Sequence, residues 1–117
     1  MDEPSTSEID RRKYERKVFR GTAQVQISSQ QRITVRVLNI SRSGIGVIAP
    51  VNLPNRATCT ILFSMPSPLR GMESLEVQAA VIHRAPCKGA DGFIIGLRFD
   101  NLSPRMISLI DNLAAAV

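Results

Sequence analysis

Two clusters of side chains in this sequence have the types and spacing to do chemistry on an anion or a nucleobase. The first is Arg12-Lys-Tyr-Glu-Arg16, two arginines at i and i+4. Side chains so spaced project to the same side of a helix or of an extended chain. A guanidinium can grip phosphate as a bidentate fork, stack on a purine, or donate to guanine O6 and N7. Arg16-Lys-Val-Phe-Arg20 repeats the spacing, so a second register is open. The second cluster, Asn39-Ile-Ser41-Arg-Ser-Gly44, closes a strongly alternating stretch. Asn39 and Ser41 supply short donors and acceptors, and Gly44 permits φ > 0 or a close backbone approach. An ordinary Asx or Ser turn would use the same residues.

Other reactive types do not converge. His83 is the only histidine, and it shares the phase of the apolar residues in its stretch, where a histidine is usually a packed or edge side chain. Ser41 and Ser43 have no general base nearby in sequence. Glu73 and Glu76 read as solvated carboxylates at a strand start. Gly44-Ile-Gly46 is not a dinucleotide fingerprint, because it opens no helix. Cys59 and Cys87 stand far apart, and with one histidine they are too few for a metal site. They read as reduced structural thiols. Neither catalytic nor metal-binding residues are expected.

The elements that must position the two clusters are short and mostly extended. A length of 117 residues suits one domain with one modest core. Residues 1–10 carry four acids and no base, and they read as a disordered tail. Residues 11–20 carry six bases and one acid, which concentrates the basic surplus in one arm and favours an anionic partner. Period-two alternation follows: Ala23, Val25 and Ile27; Ile33, Val35 and Val37; Ala57, Cys59, Ile61 and Phe63; Leu75, Val77, Ala79 and Val81; Phe93, Ile95, Leu97 and Phe99. A sixth short strand is predicted at 45–49. Turn formers separate the runs in SSQQ, SRSG, PVNLPN, SMPSPLRG and CKGADG. Six short strands predict a sandwich or a closed barrel.

Asn39 falls in the phase of Val35 and Val37, so a polar side chain stands where the core face should continue. At the other end Ser103 is placed as an N-cap and Pro104 as the first helical residue. Met106, Ile110 and Leu113 then follow at helical spacing. No apolar run reaches the ~20 residues of a membrane span, and no leader is visible, so a cytoplasmic protein without membrane insertion is expected.

Taken in order, an R-x-x-x-R arm, a strand, and a strand ending in [D/N]-x-S-x-x-G resemble the PilZ domain family, whose members bind the bacterial second messenger cyclic di-GMP. SGIGV at 43–47 and IIGLRFDNLSP at 94–104 look like later stretches of the same family. The resemblance covers about residues 10–117. It implies a mainly β fold: a six-stranded antiparallel β-barrel with a C-terminal helix at about 103–115 and a flexible N-terminal arm at 11–20, within a domain at 11–117. It also implies that Arg12 and Arg16 hold guanine and phosphate groups, while Asn39, Ser41 and Gly44 receive another guanine edge. Arg11 matches a basic position that often precedes the motif. The Arg12–Arg16 register is preferred, because KVF after Arg16 leads into the first strand. Asn at 39 offers one neutral acceptor where an aspartate would accept charge-assisted bonds, which points to a lower affinity.

The expected ligand is therefore cyclic di-GMP, with no further cofactor, no catalysis, no DNA, and an unidentified downstream protein as partner. Two other readings stand beside it. One is a PilZ-like adaptor that works through protein contacts alone. The other is a small basic β-barrel for single-stranded nucleic acid, which the 4% aromatic content and absence of tryptophan argue against.

Overall fold

Alternation of apolar and polar residues dictates extended chain, and six such runs find partners on both flanks. The computed structural model describes residues 16–68, 71–87 and 92–113. In these, β1 (Lys17–Ser28), β2 (Gln31–Ile40), β3 (Gly44–Ala49), β4 (Thr58–Ser67), β5 (Gly71–Pro86) and β6 (Phe93–Phe99) precede one helix, α1 (Pro104–Asp111). All pairings are antiparallel, in the order β1-β2-β3-β6-β5-β4, and β4 returns to β1 to close a barrel. Closure decides between the two architectures left open by the sequence, because it gives β1 and β4 a partner on each side.

The pairing register carries the apolar phase around the barrel. Ala23 lies between Val35 and Phe63, and Leu97 lies between Ile45 and Val81. These side chains share the inner face with the fully buried Val25, Val47, Ile61 and Ile95. Phe19 meets Phe63 edge to face, with ring centroids 6.2 Å apart. Cys59 belongs to the same interior, and burial pushes its thiol up to about 11, so it stays protonated and inert at neutral pH. Among the described residues, every buried side-chain nitrogen or oxygen has a hydrogen-bond partner.

Helix α1 closes one end of this core with Met106, Leu109 and Ile110, at i, i+3 and i+4. Ser103 caps it as the sequence suggests, its Oγ accepting from the Met106 N–H at 3.1 Å, and Pro104 takes the first turn. The helix stops at Asp111, short of the predicted 115. The Leu113 N–H turns back to the Ile110 carbonyl at 3.1 Å and tightens the last turn. No helix among the described residues is long and apolar enough to cross a membrane.

Two further boundaries differ from the sequence reading. Strand β1 begins at Lys17, so residues 17–20 of the 11–20 arm are sheet, paired through Lys17↔Ile40 and Val18↔Asn39. The hydrophobic anchor is Phe19, which enters the core. Strand β4 runs on to Ser67, through part of the SMPSPLRG turn signal. Pro66 is tolerated there because β4 pairs with β1 only from Thr60 to Phe63; beyond that, Pro66 faces Met72 of β5 alone. The 1–10 tail lies outside the described residues.

Replacing Ser103 with Ala removes the cap of α1. The expected cost is about 1 kcal/mol, read as a fall of ~4–8 °C in the thermal unfolding midpoint.

Candidate functional site

The site grows from an irregularity in β2. Val35 and Val37 point inward, and unbroken alternation would send Asn39 into the apolar core. The β2–β3 register instead slips by one residue between Val37↔Val47 and Asn39↔Gly46. This bulge turns Asn39 to the outer face and returns Ile40 to the core, where it is fully buried. The amide of Asn39 then lies over Gly46: a Cβ built on Gly46 would stand 3.0 Å from Asn39 Oδ1.

Arg16 reaches this amide from the start of β1. Its Nη1 donates to Asn39 Oδ1 at 2.6 Å, and the Val18↔Asn39 pairing two residues on holds the chain in reach. The two sequence clusters, 23 residues apart along the chain, therefore meet in one contact. Arg20 points elsewhere. It is exposed and lines a cleft of about 690 Å³ with Thr22, Arg36 and Leu38. Arg11 and Arg12 lie outside the described residues.

Ser41 and Gly44 build the rim instead of presenting themselves to solvent. Ser41 is 1% exposed, and its Oγ lies 2.9 Å from Ser43 Oγ and accepts from the Ser43 N–H at 3.2 Å. The Ser41 N–H donates to the Gly44 carbonyl at 2.8 Å, closing the turn. Gly44 is required by close approach and not by its backbone angle. A Cβ there would fall 2.1 Å from the Leu97 carbonyl oxygen of β6, and among the described residues the glycines with positive φ are Gly71 and Gly92.

The rim is also tied to the helix, through a residue that sequence reasoning passed over as a variable position of the motif. Arg42 donates through Nε and Nη2 to the two carboxylate oxygens of Asp111, at 3.0 and 2.5 Å. The Arg42 hydrogen bond, with help from its charge and that of Lys17, holds the Asp111 carboxyl below its usual range. No local signal announces a pair 69 residues apart.

The remaining candidates separate. His83 is exposed, although its sequence phase is apolar, because a second bulge between Val81↔Leu97 and His83↔Gly96 reverses its face. Glu73 is not simply solvated: Arg105 of α1 grips it through Nε and Nη2, at 3.2 and 2.5 Å. Glu76 is exposed. Among the described residues, no three His, Cys, Asp or Glu side chains group as a metal site.

Against known proteins, the PilZ domain family model matches residues 10–116. Among solved structures the chain is similar to the Bacillus subtilis inhibitor of motility, MotI/DgrA, with a TM-score of 0.74 at 18% identity, over 94% of this chain and 54% of that one. It is also similar to the PilZ domain of Escherichia coli YcgR with c-di-GMP, with a TM-score of 0.65 at 18% identity over 86% of each chain. YcgR of Escherichia coli in complex with c-di-GMP gives 0.63 at 17% identity, over 86% of this chain and 43% of that one. The likeness at these identities is one of fold, and the chain spans about half the length of the MotI chain. No curated protein matches.

Gly44→Ala is expected to push β3 from β6 and to destabilise the barrel by roughly 1–3 kcal/mol, read from the urea midpoint. Asp111→Asn tests the tie to the helix. The Asp111 carboxyl is held low in the folded state, so its contribution is present above the ordinary carboxylate pKa and is lost as pH falls through the folded value. Both side chains are more than two-fifths exposed, so solvent screening keeps the effect within about 1 kcal/mol. The stability gap between the variant and the parent should be measurable at pH 7 and should close in acid, below about pH 4.

Proposed function

This chain belongs to the PilZ domain family, and from that premise we propose that it is a receptor for cyclic di-GMP. The ligand sits between the arginines that precede β1 and the Asn39-x-Ser41-x-x-Gly44 rim. One observation carries the reading: Arg16 Nη1 already rests 2.6 Å from Asn39 Oδ1, so a cation and an amide stand side by side on the outer face of the barrel. A dinucleotide with two phosphates and two guanines asks for both. Guanidinium groups grip phosphate or the guanine Hoogsteen edge, and an amide exchanges hydrogen bonds with a base edge.

The roles then divide by burial. Arg11, Arg12 and Arg16 supply the charge, and Asn39 supplies the base contact. Ser41 and Gly44 shape the rim, the first through its hydroxyl contacts with Ser43, the second by letting β3 press against β6. Arg16 exchanges its contact with Asn39 for the ligand, and the chain before it closes over the bound nucleotide. Fixing backbone on binding costs roughly 1–2 kcal/mol per residue. Several charge-assisted hydrogen bonds, at about 1.5–3 kcal/mol each, offset it. The output is a changed surface offered to a partner protein, and the chain acts as a receptor and not as a catalyst.

Calorimetric titration with cyclic di-GMP at micromolar protein is expected to give saturable heat, and its absence would overturn the reading. Arg16→Ala should weaken binding by at least about 1.5–3 kcal/mol, tenfold to a hundredfold or more. Arg20→Ala should leave it unchanged. The reverse pattern would move the functional pair to Arg16 and Arg20. Length-dependent, salt-sensitive binding of oligonucleotides in place of the dinucleotide would mark a nucleic-acid barrel instead.

A further inference from the structure

Two of the register shifts that interrupt the barrel's ladders act on the same row of residues. One lies between Val37 and Asn39 of β2, the other between Val81 and His83 of β5. Each takes a polar residue whose parity would send it into the core and turns it outward. The pairing connects the two directly, through Asn39↔Gly46, Gly46↔Gly96 and Gly96↔His83. Four adjacent strands therefore carry, side by side on the outer face, an amide, two glycines and an imidazole. At about 4.8 Å per strand the row spans roughly 14 Å.

Its centre is bare backbone. The Asn39 amide covers Gly46, and a Cβ on Gly96 would meet the His83 Cβ at 3.3 Å and then only the His83 carbonyl oxygen at 4.0 Å. What remains is a slot above the Gly96 peptide, between Asn39 and His83. Along β6 the slot is flanked on the same face by Ile94 on one side and the exposed Arg98 on the other. A strand glycine with no side chain to pack often marks a place where a ligand approaches backbone closely. Bulges are over-represented beside such sites, where they re-aim side chains.

We propose that His83 is a further ligand-contacting residue, the wall of this slot opposite Asn39. A planar nucleobase enters over Gly96, takes its hydrogen bond from the Asn39 side and packs against the imidazole on the other. The inference rests on the receptor reading above and assigns one guanine of the ligand to the row Asn39–Gly46–Gly96–His83. Guanine is the base whose O6 and N7 edge the Arg16 guanidinium suits, and the imidazole supplies an aromatic surface in a chain without tryptophan.

Because His83 is the only histidine, its imidazole C–H resonances are a single, unambiguous reporter. Saturating the full chain with cyclic di-GMP is expected to shift them by the ring current of the base. His83→Ala should weaken binding about five- to tenfold, at the low end of base–aromatic stacking, with the thermal midpoint unchanged because the side chain is exposed. His83→Phe should restore affinity to within about twofold, since a flat apolar wall is what the slot requires. Gly96→Ala, which raises the floor, should weaken binding independently of His83. If the parent binds and Arg16→Ala loses binding, but His83→Ala is unchanged and the imidazole resonances stay in place, the wall assignment is overturned and the receptor reading stands. If the parent does not bind cyclic di-GMP at all, the receptor reading falls, and this assignment with it.

Discussion

Closing six strands around one apolar interior ties each side chain's destination to its parity along the strand. Residues of one parity must be able to live in the core, and residues of the other face outward. Val25, Val35, Val47, Ile61 and Ile95 obey this rule, and they make the interior. Asn39 and His83 cannot, because a polar side chain without a partner in that core would cost several kcal/mol. The chain resolves each conflict with one extra residue in the ladder. The outer surface thereby acquires an amide and an imidazole, in register with each other.

The same end of the barrel gathers both ends of the described chain. Arg16 enters before β1 and rests on Asn39; Lys17 is nearly buried beside it and adds its charge to the field at Asp111. Arg42, on the rim turn, reaches Asp111 at the last turn of the helix. The Arg42–Asp111 pair is exposed and energetically modest. Its importance is positional, because it makes the rim, the first strand and the helix neighbours in one electrostatic cluster. Arg42 thus belongs both to the rim turn and to the tie that holds the end of the helix.

Glycine serves this surface by omission. Gly44 admits the backbone of β6, Gly46 makes room for the Asn39 amide, and Gly96 leaves the slot between Asn39 and His83 open. None of the three needs a left-handed backbone. They are space-makers in regular strand, and a methyl group at each would act on a different neighbour: a carbonyl, an amide side chain and the base of an imidazole.

Much of this was legible in the sequence. The alternation of apolar residues placed the strands, since only extended chain brings every second residue to one face. Ser103 and Pro104 marked the start of the helix through local capping chemistry. The order of the arginine pair and the Asn-x-Ser-x-x-Gly stretch picked out Arg16, Asn39, Ser41 and Gly44. Asn39 even announced itself, as a polar residue in an apolar phase. Long-range pairing decided the rest. Closure to a barrel, and the stop of the helix at Asp111, depend on how elements meet. Arg42–Asp111 and Glu73–Arg105 join residues 69 and 32 positions apart, beyond the reach of any local pattern. His83 shows the boundary most clearly. Its residue type and its place in the strand pattern set its chemistry and its parity, but the register of β5 against β6, shifted by one residue at the bulge, turned it outward. A local sequence cannot disclose that shift, because a bulge is a property of two strands and not of one.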